Sequence, residues 1–172
     1  MTWQHRGQRR PPFAIQPRAD QESVWDYPRP PGLEPDRRLV EVRAGDRLIA
    51  RTRTAYRVLE TASPPTFYLP RSDVRMALLR PVGATSLCEW KGRASYYDVD
   101  AGDRLLERAA WTYEDPTAAF AEIAGCISFY PGRVDCYVDG RRVRAQAGGF
   151  YGGWVTDEIV GPFKGEPGTW SW

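Results

Sequence analysis

Residues 42–52 read VRAGDRLIART and residues 99–109 read VDAGDRLLERA. The first copy is preceded by Leu39-Val40-Glu41-Val42-Arg43, which alternates apolar and charged residues as a half-buried strand does. Gly45 is free to take positive φ, so AGD reads as a tight turn and RLIART as the returning strand. The second copy repeats the plan, with ASYYDV leading in, a turn around Gly102, and RLLERAAWTY leading out. AGDRL is therefore a hairpin tip plus the start of its second strand. The offset that carries Ala44 onto Ala101 also carries Tyr56 onto Tyr113, which raises the question of an internal duplication without deciding it. A third hairpin, VDCYVDGRRVRA, turns at Asp139-Gly140, a strong turn pair.

Composition agrees with many short strands. Of 172 residues, 42% are hydrophobic and 13% aromatic, which suits a folded, β-rich chain. Fifteen prolines and sixteen glycines supply short connections. Two pieces read as short helices. PRSDVRMALLR has Ser72 as N-cap, with Val74, Leu78 and Leu79 on one face; DPTAAFAEIAG starts at Asp115-Pro116 and stops at Gly125. The expected fold is a compact single domain, mainly β or β-rich α+β. Two related hairpin units form a tent-like sandwich or half-open barrel, with the two short helices added. Residues 1–20 read as a disordered tail, 21–145 as the β-rich core, and 146–172 as a Gly/aromatic arm packing on the core or on a second subunit. VWDYPRPPGLEP (residues 24–35) is too proline-rich for a helix and should lie extended over the domain, with Trp25 as its anchor.

Charge narrows the function classes. The net charge of +2 comes from 24 basic and 22 acidic residues, interleaved rather than striped, so no nucleic-acid partner is expected. The one basic cluster, HRGQRR, reads as a solvated tail. Cys88, Cys126 and Cys136 have no C-x-x-C spacing, and His5 is the sole imidazole, so neither a metal site nor any cofactor is expected. The odd cysteine count and the lack of an apolar leader point to a cytoplasmic protein, and no run suits a membrane helix.

Several stretches follow one another in a characteristic order: VWDYPRPP, RVLETASPPTFYLPRSDVRMALL, CEWKGRASYYDV, AAWTYEDP, IAGCISFYPGRVD and GGFYGGWVTDEIVGPFKGEPGT. This set resembles the bacterial family called domain of unknown function 427, over about Glu22 to Trp172. The glycine-rich end resembles versions common in actinobacteria. The resemblance implies a mainly β domain related in shape to tent-like β-sheet proteins. Many of those hold zinc between C-x-x-C pairs, which this chain lacks. The family's nucleotidyltransferase-like label implies metal-bound carboxylates. Here the only D-x-D, Asp98 and Asp100, lies at a hairpin tip and reads as turn chemistry.

Chemistry concentrates in CEWKGRASYY and RVLET. Lys91 beside Gly92 offers a charge or an amine, Gly92 permits close approach of a ligand, and Trp90 and Tyr96 would wall a pocket. Strand alternation puts Val58 and Glu60 on one face and Arg57, Leu59 and Thr61 on the other. A carboxylate among apolar residues needs a cation, and Lys91 or Arg75 are natural partners. Such a pair is either an acid/base device or a structural salt bridge. Glu60 and Lys91 are the candidate catalytic residues; Arg57, Tyr68, Arg75, Trp90, Gly92 and Tyr96 are the candidate ligand-binding residues. Cys88 has no imidazole to activate it and reads as a small buried thiol. The expected function is binding of a small polar or anionic metabolite in an aromatic pocket, with Glu60 and Lys91 as acid/base pair if it is an enzyme. The alternative is a non-catalytic interaction module using the Pro-rich and aromatic arms, with a homodimer formed through the C-terminal arm.

Overall fold

The computed structural model describes residues 3–172. Its strands in chain order are β1 (Glu22–Ser23), β2 (Gly32–Asp36), β3 (Val40–Ala44), β4 (Arg47–Thr52), β5 (Ala55–Leu59), β6 (Thr66–Tyr68), β7 (Leu79–Cys88), β8 (Gly92–Asp100), β9 (Leu105–Thr112), β10 (Ile127–Phe129), β11 (Asp135–Val138), β12 (Arg141–Arg142), β13 (Arg144–Ala145), β14 (Trp154–Val155) and β15 (Ile159–Val160). They make two four-stranded antiparallel sheets, ordered β10-β9-β8-β7 and β12-β11-β3-β4, and a three-stranded sheet, β2-β5-β6. Two small pairs, β1·β15 and β13·β14, tie in the C-terminal stretch. The described residues form one mainly β domain of several sheets with no closed barrel among them. Among the described residues no helix is long and apolar enough to cross a membrane.

Both AGD stretches are hairpin tips. The first joins β3 to β4 with Gly45 at φ 58°, and the second joins β8 to β9 with Gly102 at φ 96°. The tips also touch each other. Arg47 Nη1 donates to Asp100 Oδ1 at 3.3 Å, and its guanidinium lies where a Cβ on Gly102 would come within 2.9 Å. Asp100 also accepts from Gly102 N at 2.8 Å, while Asp98 accepts from Arg108 N at 2.8 Å beside a register shift in β8·β9. Both carboxylates of the D-x-D thus serve turns and strand irregularities. The third hairpin turns at Asp139 and Gly140, both with positive φ, as a two-residue loop of type I′ requires.

The two expected helices are instead 3-10 turns. Arg71–Asp73 and Met76–Leu78 are single turns separated by Val74, which bridges to Ala50, and Arg75 N donates to Ile49 O at 2.8 Å. Pairing with the β4 edge takes the backbone groups that an α-helix would need. Ala118–Ile123 is broken at Phe120, whose ψ of 20° leaves the helical range. Segments this short do not repay helix nucleation, so tertiary contacts decide their form.

Three clusters of buried side chains organise the interior. The main one lies between the sheets and includes Val40, Val42, Ile49, Phe67, Val99, Ile127, Phe129 and Trp154. A second, with Val58, Tyr68, Trp111, Tyr113 and Phe120, lies on the other side of β5 and β6. Alternation along β6 explains the split: Phe67 points to the main core and Tyr68 to the second cluster. The third cluster gathers the termini around Trp25, which is buried in a 3-10 turn and donates Nε1 to Pro162 O at 3.1 Å.

The stretch read as a disordered tail has no strand or helix between residues 3 and 20, yet it lies against the body. Gln4 N donates to Ser171 O, Ile15 N to Gly161 O, and Phe13 stacks on Trp172 at 5.2 Å. Ala14 is buried in this contact, while Phe13 stays half-exposed. The C-terminal arm packs on its own chain: Trp154 is fully buried, stacks on Phe67 at 4.6 Å, and donates Nε1 to Phe129 O at 3.0 Å.

Candidate functional site

The β7–β8 hairpin ends in the sequence Cys88-Glu89-Trp90-Lys91-Gly92, with Cys88 paired to Gly92. Gly92 sits at φ 97°, the left-handed conformation that closes a three-residue hairpin loop. Thr117 clamps this loop. Its hydroxyl donates to Trp90 O at 2.6 Å, and its N–H donates to Lys91 O at 3.1 Å. Held this way, the Lys91 side chain runs inward, with Nζ 5.8 Å from the ring centres of both Tyr113 and Phe120. Lys91 is only 8% exposed.

It borders a cavity of about 430 Å³. Val58 comes from β5, Tyr68 from β6, Ser86 and Cys88 from β7, Tyr96 from β8 and Trp111 from β9, with Glu60, Tyr113 and Tyr130 just beyond the strands. The opposite wall comes from the two ends of the chain: Trp3, Gln146, Phe150, Tyr151, Gly152 and Lys164. Gly152 lies against the edge of the Trp111 indole, so close that a Cβ there would overlap the ring. Lys164 is fixed by its backbone, since its N–H donates to Ala62 O at 2.7 Å and its carbonyl accepts from Gln146 Nε2 at 2.6 Å. Its Nζ lies 3.9 Å from the ring centre of Trp3 and 5.3 Å from that of Tyr151, and donates to Trp172 O at 3.3 Å.

The cavity's electrostatics divide its two lysines. Burial works against the Lys91 ammonium, but Tyr68, Cys88 and Glu60 around it outweigh that cost and hold its pKa above the ordinary value. Burial also works against Lys164, and here the Arg29 guanidinium adds to the effect while Glu60 and Glu89 offset only part of it; its pKa falls to about 8. Among the described residues, no Asp or Glu oxygen comes within 4.0 Å of either ammonium. Burial raises the phenols of Tyr68, Tyr113 and Tyr130, so these remain protonated donors at neutral pH. Tyr68 OH accepts from Trp111 Nε1 at 3.3 Å, and Tyr96 OH shares a 2.7 Å hydrogen bond with Ser86 Oγ. The indole Nε1 of Trp90, a cavity-lining residue, is buried with no partner.

Of the residues singled out from sequence, Glu60, Tyr68, Trp90, Lys91 and Tyr96 line this one cavity. Glu60 does not pair with Lys91 or Arg75. Its Oε1 accepts from Arg29 Nε at 3.2 Å, and Arg29 is anchored further by donating to His5 O and Thr61 O, each at 2.7 Å. Arg29 lies in the Pro-rich segment, far from Glu60 in sequence. Arg75 lies outside the cavity and donates to Leu48 O at 3.3 Å. Arg57 also lies outside it, among Glu22, Glu34 and Asp36 in a separate charged cleft. Gly92 serves the turn that presents Lys91 rather than the cavity wall. Sequence reasoning missed Lys164. A signal for it existed: Lys91 and Lys164 are the only two lysines among the chain's 24 basic residues. Among the described residues, no group of three or more His, Cys, Asp or Glu is placed to hold a metal ion.

A family model described as Domain of unknown function (DUF427) matches residues 32–140. The chain belongs to this family. No curated protein matches it. The DUF427 region supplies Glu60, Tyr68, Lys91 and Trp111. Trp3, Gln146, Tyr151 and Lys164 reach the same cavity from segments outside the matched range.

Proposed function

We propose that this DUF427 protein binds a small anionic metabolite carrying a flat or apolar part. The observation that carries the reading is the Lys91 ammonium, nine-tenths buried on a cavity wall with no carboxylate within salt-bridge reach. Its surroundings keep it charged, so an anionic ligand group entering the cavity would meet an ammonium with which it can form a charge-assisted hydrogen bond. Tyr96, Trp111, Tyr113 and Tyr130 offer ring surface for the rest of the ligand, and protonated hydroxyls would fix its orientation. Glu60 is available as acid or base if the bound molecule is transformed. A thermal-shift screen of aromatic carboxylates and organic phosphates tests the reading. Ligands that stabilise the wild type and lose at least tenfold in affinity in Lys91→Met support it. Ligands that bind both proteins alike remove Lys91 from the account.

A second reading, an interaction module, draws on Leu87 and Phe150, which stand 80% and 66% exposed at the rim of the cavity. Exposed aromatic and aliphatic residues around a cleft suit a protein partner as well as a small ligand. Light scattering separates this reading's self-association form from a monomer: a dimer that dissociates on Phe150→Ser would favour it.

A further inference from the structure

A chain with 24 basic residues of which only two are lysines relies on arginine for its surface charge. Both lysines are buried, and both line the same cavity. For a plain anion contact, arginine would serve at least as well. What lysine offers and arginine does not is an amine that loses its proton and acts as a nucleophile. The two lysines are not equivalent in their surroundings. Lys91 stands among the hydroxyl and thiol groups of Tyr68 and Cys88. Lys164 is 2% exposed, lies against the faces of Trp3 and Tyr151, and has Arg29 as a cationic neighbour.

Resting on the anion-binding reading above, we infer that Lys164 is an imine-forming amine, positioned to condense with the carbonyl carbon of a ligand whose anionic group is held at Lys91. The ligand class is an aldehyde or ketone bearing a carboxylate or phosphate. In the step, the Nζ lone pair forms a bond to the carbonyl carbon and the C=O π pair moves to oxygen, which takes up a proton. The tetrahedral adduct then loses its hydroxyl as water, nitrogen gives up its protons, and a C=N bond results. One water leaves and nothing is oxidised or reduced. The proton that the leaving hydroxyl takes up comes from the adduct's own nitrogen through water in the cavity, while Glu60, ion-paired to Arg29, lines the cavity as a fixed negative charge. Two lysines whose surroundings drive their protonation apart divide the labour: one stays a cation, and the other is free to be an amine. Desolvation with a second cation nearby, here Arg29, is a recognised way to prepare such an amine. The groups that face Lys164 are Arg29, Glu60 and Glu89, the rings of Trp3 and Tyr151, and the oxygen of Trp172, the last residue of the sequence, which accepts from Nζ at 3.3 Å. Their sum leaves the amine half deprotonated at about pH 8.

The test uses the full chain and pyridoxal 5′-phosphate as probe, since it combines a flat ring, an anion and an aldehyde. Imines are fixed with borohydride and located by peptide mass spectrometry. With only two lysines and the α-amino group to compete, the map is unambiguous. The expected result is a single adduct on Lys164 whose formation rate rises about 25-fold between pH 6.5 and pH 8.5 and levels above about pH 9. Lys164→Arg keeps the charge and, if it melts with the wild type, should take up no adduct. An adduct confined to Lys91 or the α-amino group, or none at all, overturns the inference. Pyridoxine 5′-phosphate, which lacks the aldehyde, separates the two proposals. If it stabilises the wild type but not Lys91→Met while Lys164 stays unlabelled, anion binding stands and the imine inference fails. If Lys164 is labelled equally well in Lys91→Met, the amine stands and Lys91 is not the anion anchor.

Discussion

Lys164→Met should stabilise the fold at pH 7, by a margin that shrinks as pH rises towards 10. The Lys164 ammonium is placed in a 2%-exposed position with Arg29 nearby, and its pKa falls from the ordinary 10.5 to about 8. Between those two values the unfolded chain holds a proton that the folded chain has given up. Stability therefore rises with pH across that window, and the cost of carrying the charge is present in full below pH 8. At about 1.4 kcal/mol per tenfold change, the cost has an upper limit of about 3 kcal/mol at pH 7. The ammonium borders a cavity that admits water and donates to Trp172 O, and both soften the cost, so about half of that limit is expected. Methionine fills the same space between Trp3 and Tyr151 without a charge. Urea unfolding of both proteins at pH 7, 8, 9 and 10 supplies the comparison, and other titrating groups cancel in the difference. A difference of about 1.5 kcal/mol at pH 7 that falls to near zero at pH 10 is the expected outcome. A difference that is flat with pH, or that grows, would refute the reasoning, because the lysine would then be titrating alike in both states.

Three further outcomes follow from the same geometry. Arg29→Met should destabilise the protein by about 3 kcal/mol in urea, since it strands the Glu60 carboxylate and two backbone carbonyls; Arg29→Met with Glu60→Gln should recover part of that loss. The Lys91→Met and Glu60→Gln double-mutant cycle should give a coupling below about 1 kcal/mol, smaller than that of Arg29 with Glu60, because no direct ion pair joins Lys91 to Glu60. Gly152→Ala should lower stability by about 1–3 kcal/mol and weaken any ligand of the cavity, measured by thermal shift, because its methyl group would displace the Trp111 indole.

The hairpins were legible in the sequence because their signals are local. A glycine that must take positive φ, an alternating run on either side, and an Asp-Gly pair need no distant partner to be read. The same locality put Val58 of β5 and Glu60, just beyond its end, on the same cavity, and put Lys91 at a turn beside Gly92. The expected helices failed for the opposite reason. Val74 and Arg75 were drawn to the edge of β4, a contact that no periodicity within residues 70–80 announces.

Tertiary structure alone decided who faces whom. Arg29, not Lys91 or Arg75, meets Glu60, because the Pro-rich segment is laid across the end of β5. Trp3 and Lys164 stand on one cavity wall because the two ends of the chain pack together, with Gln4 N donating to Ser171 O. The sequence by itself determined the turn chemistry, the strand faces and the scarcity of lysine. That both lysines border one cavity, with one held as a cation and the pKa of the other lowered to about 8, depends on burial and on charges brought from distant segments. Desolvation and Coulomb energy are set by distances in space, which the order of residues does not contain.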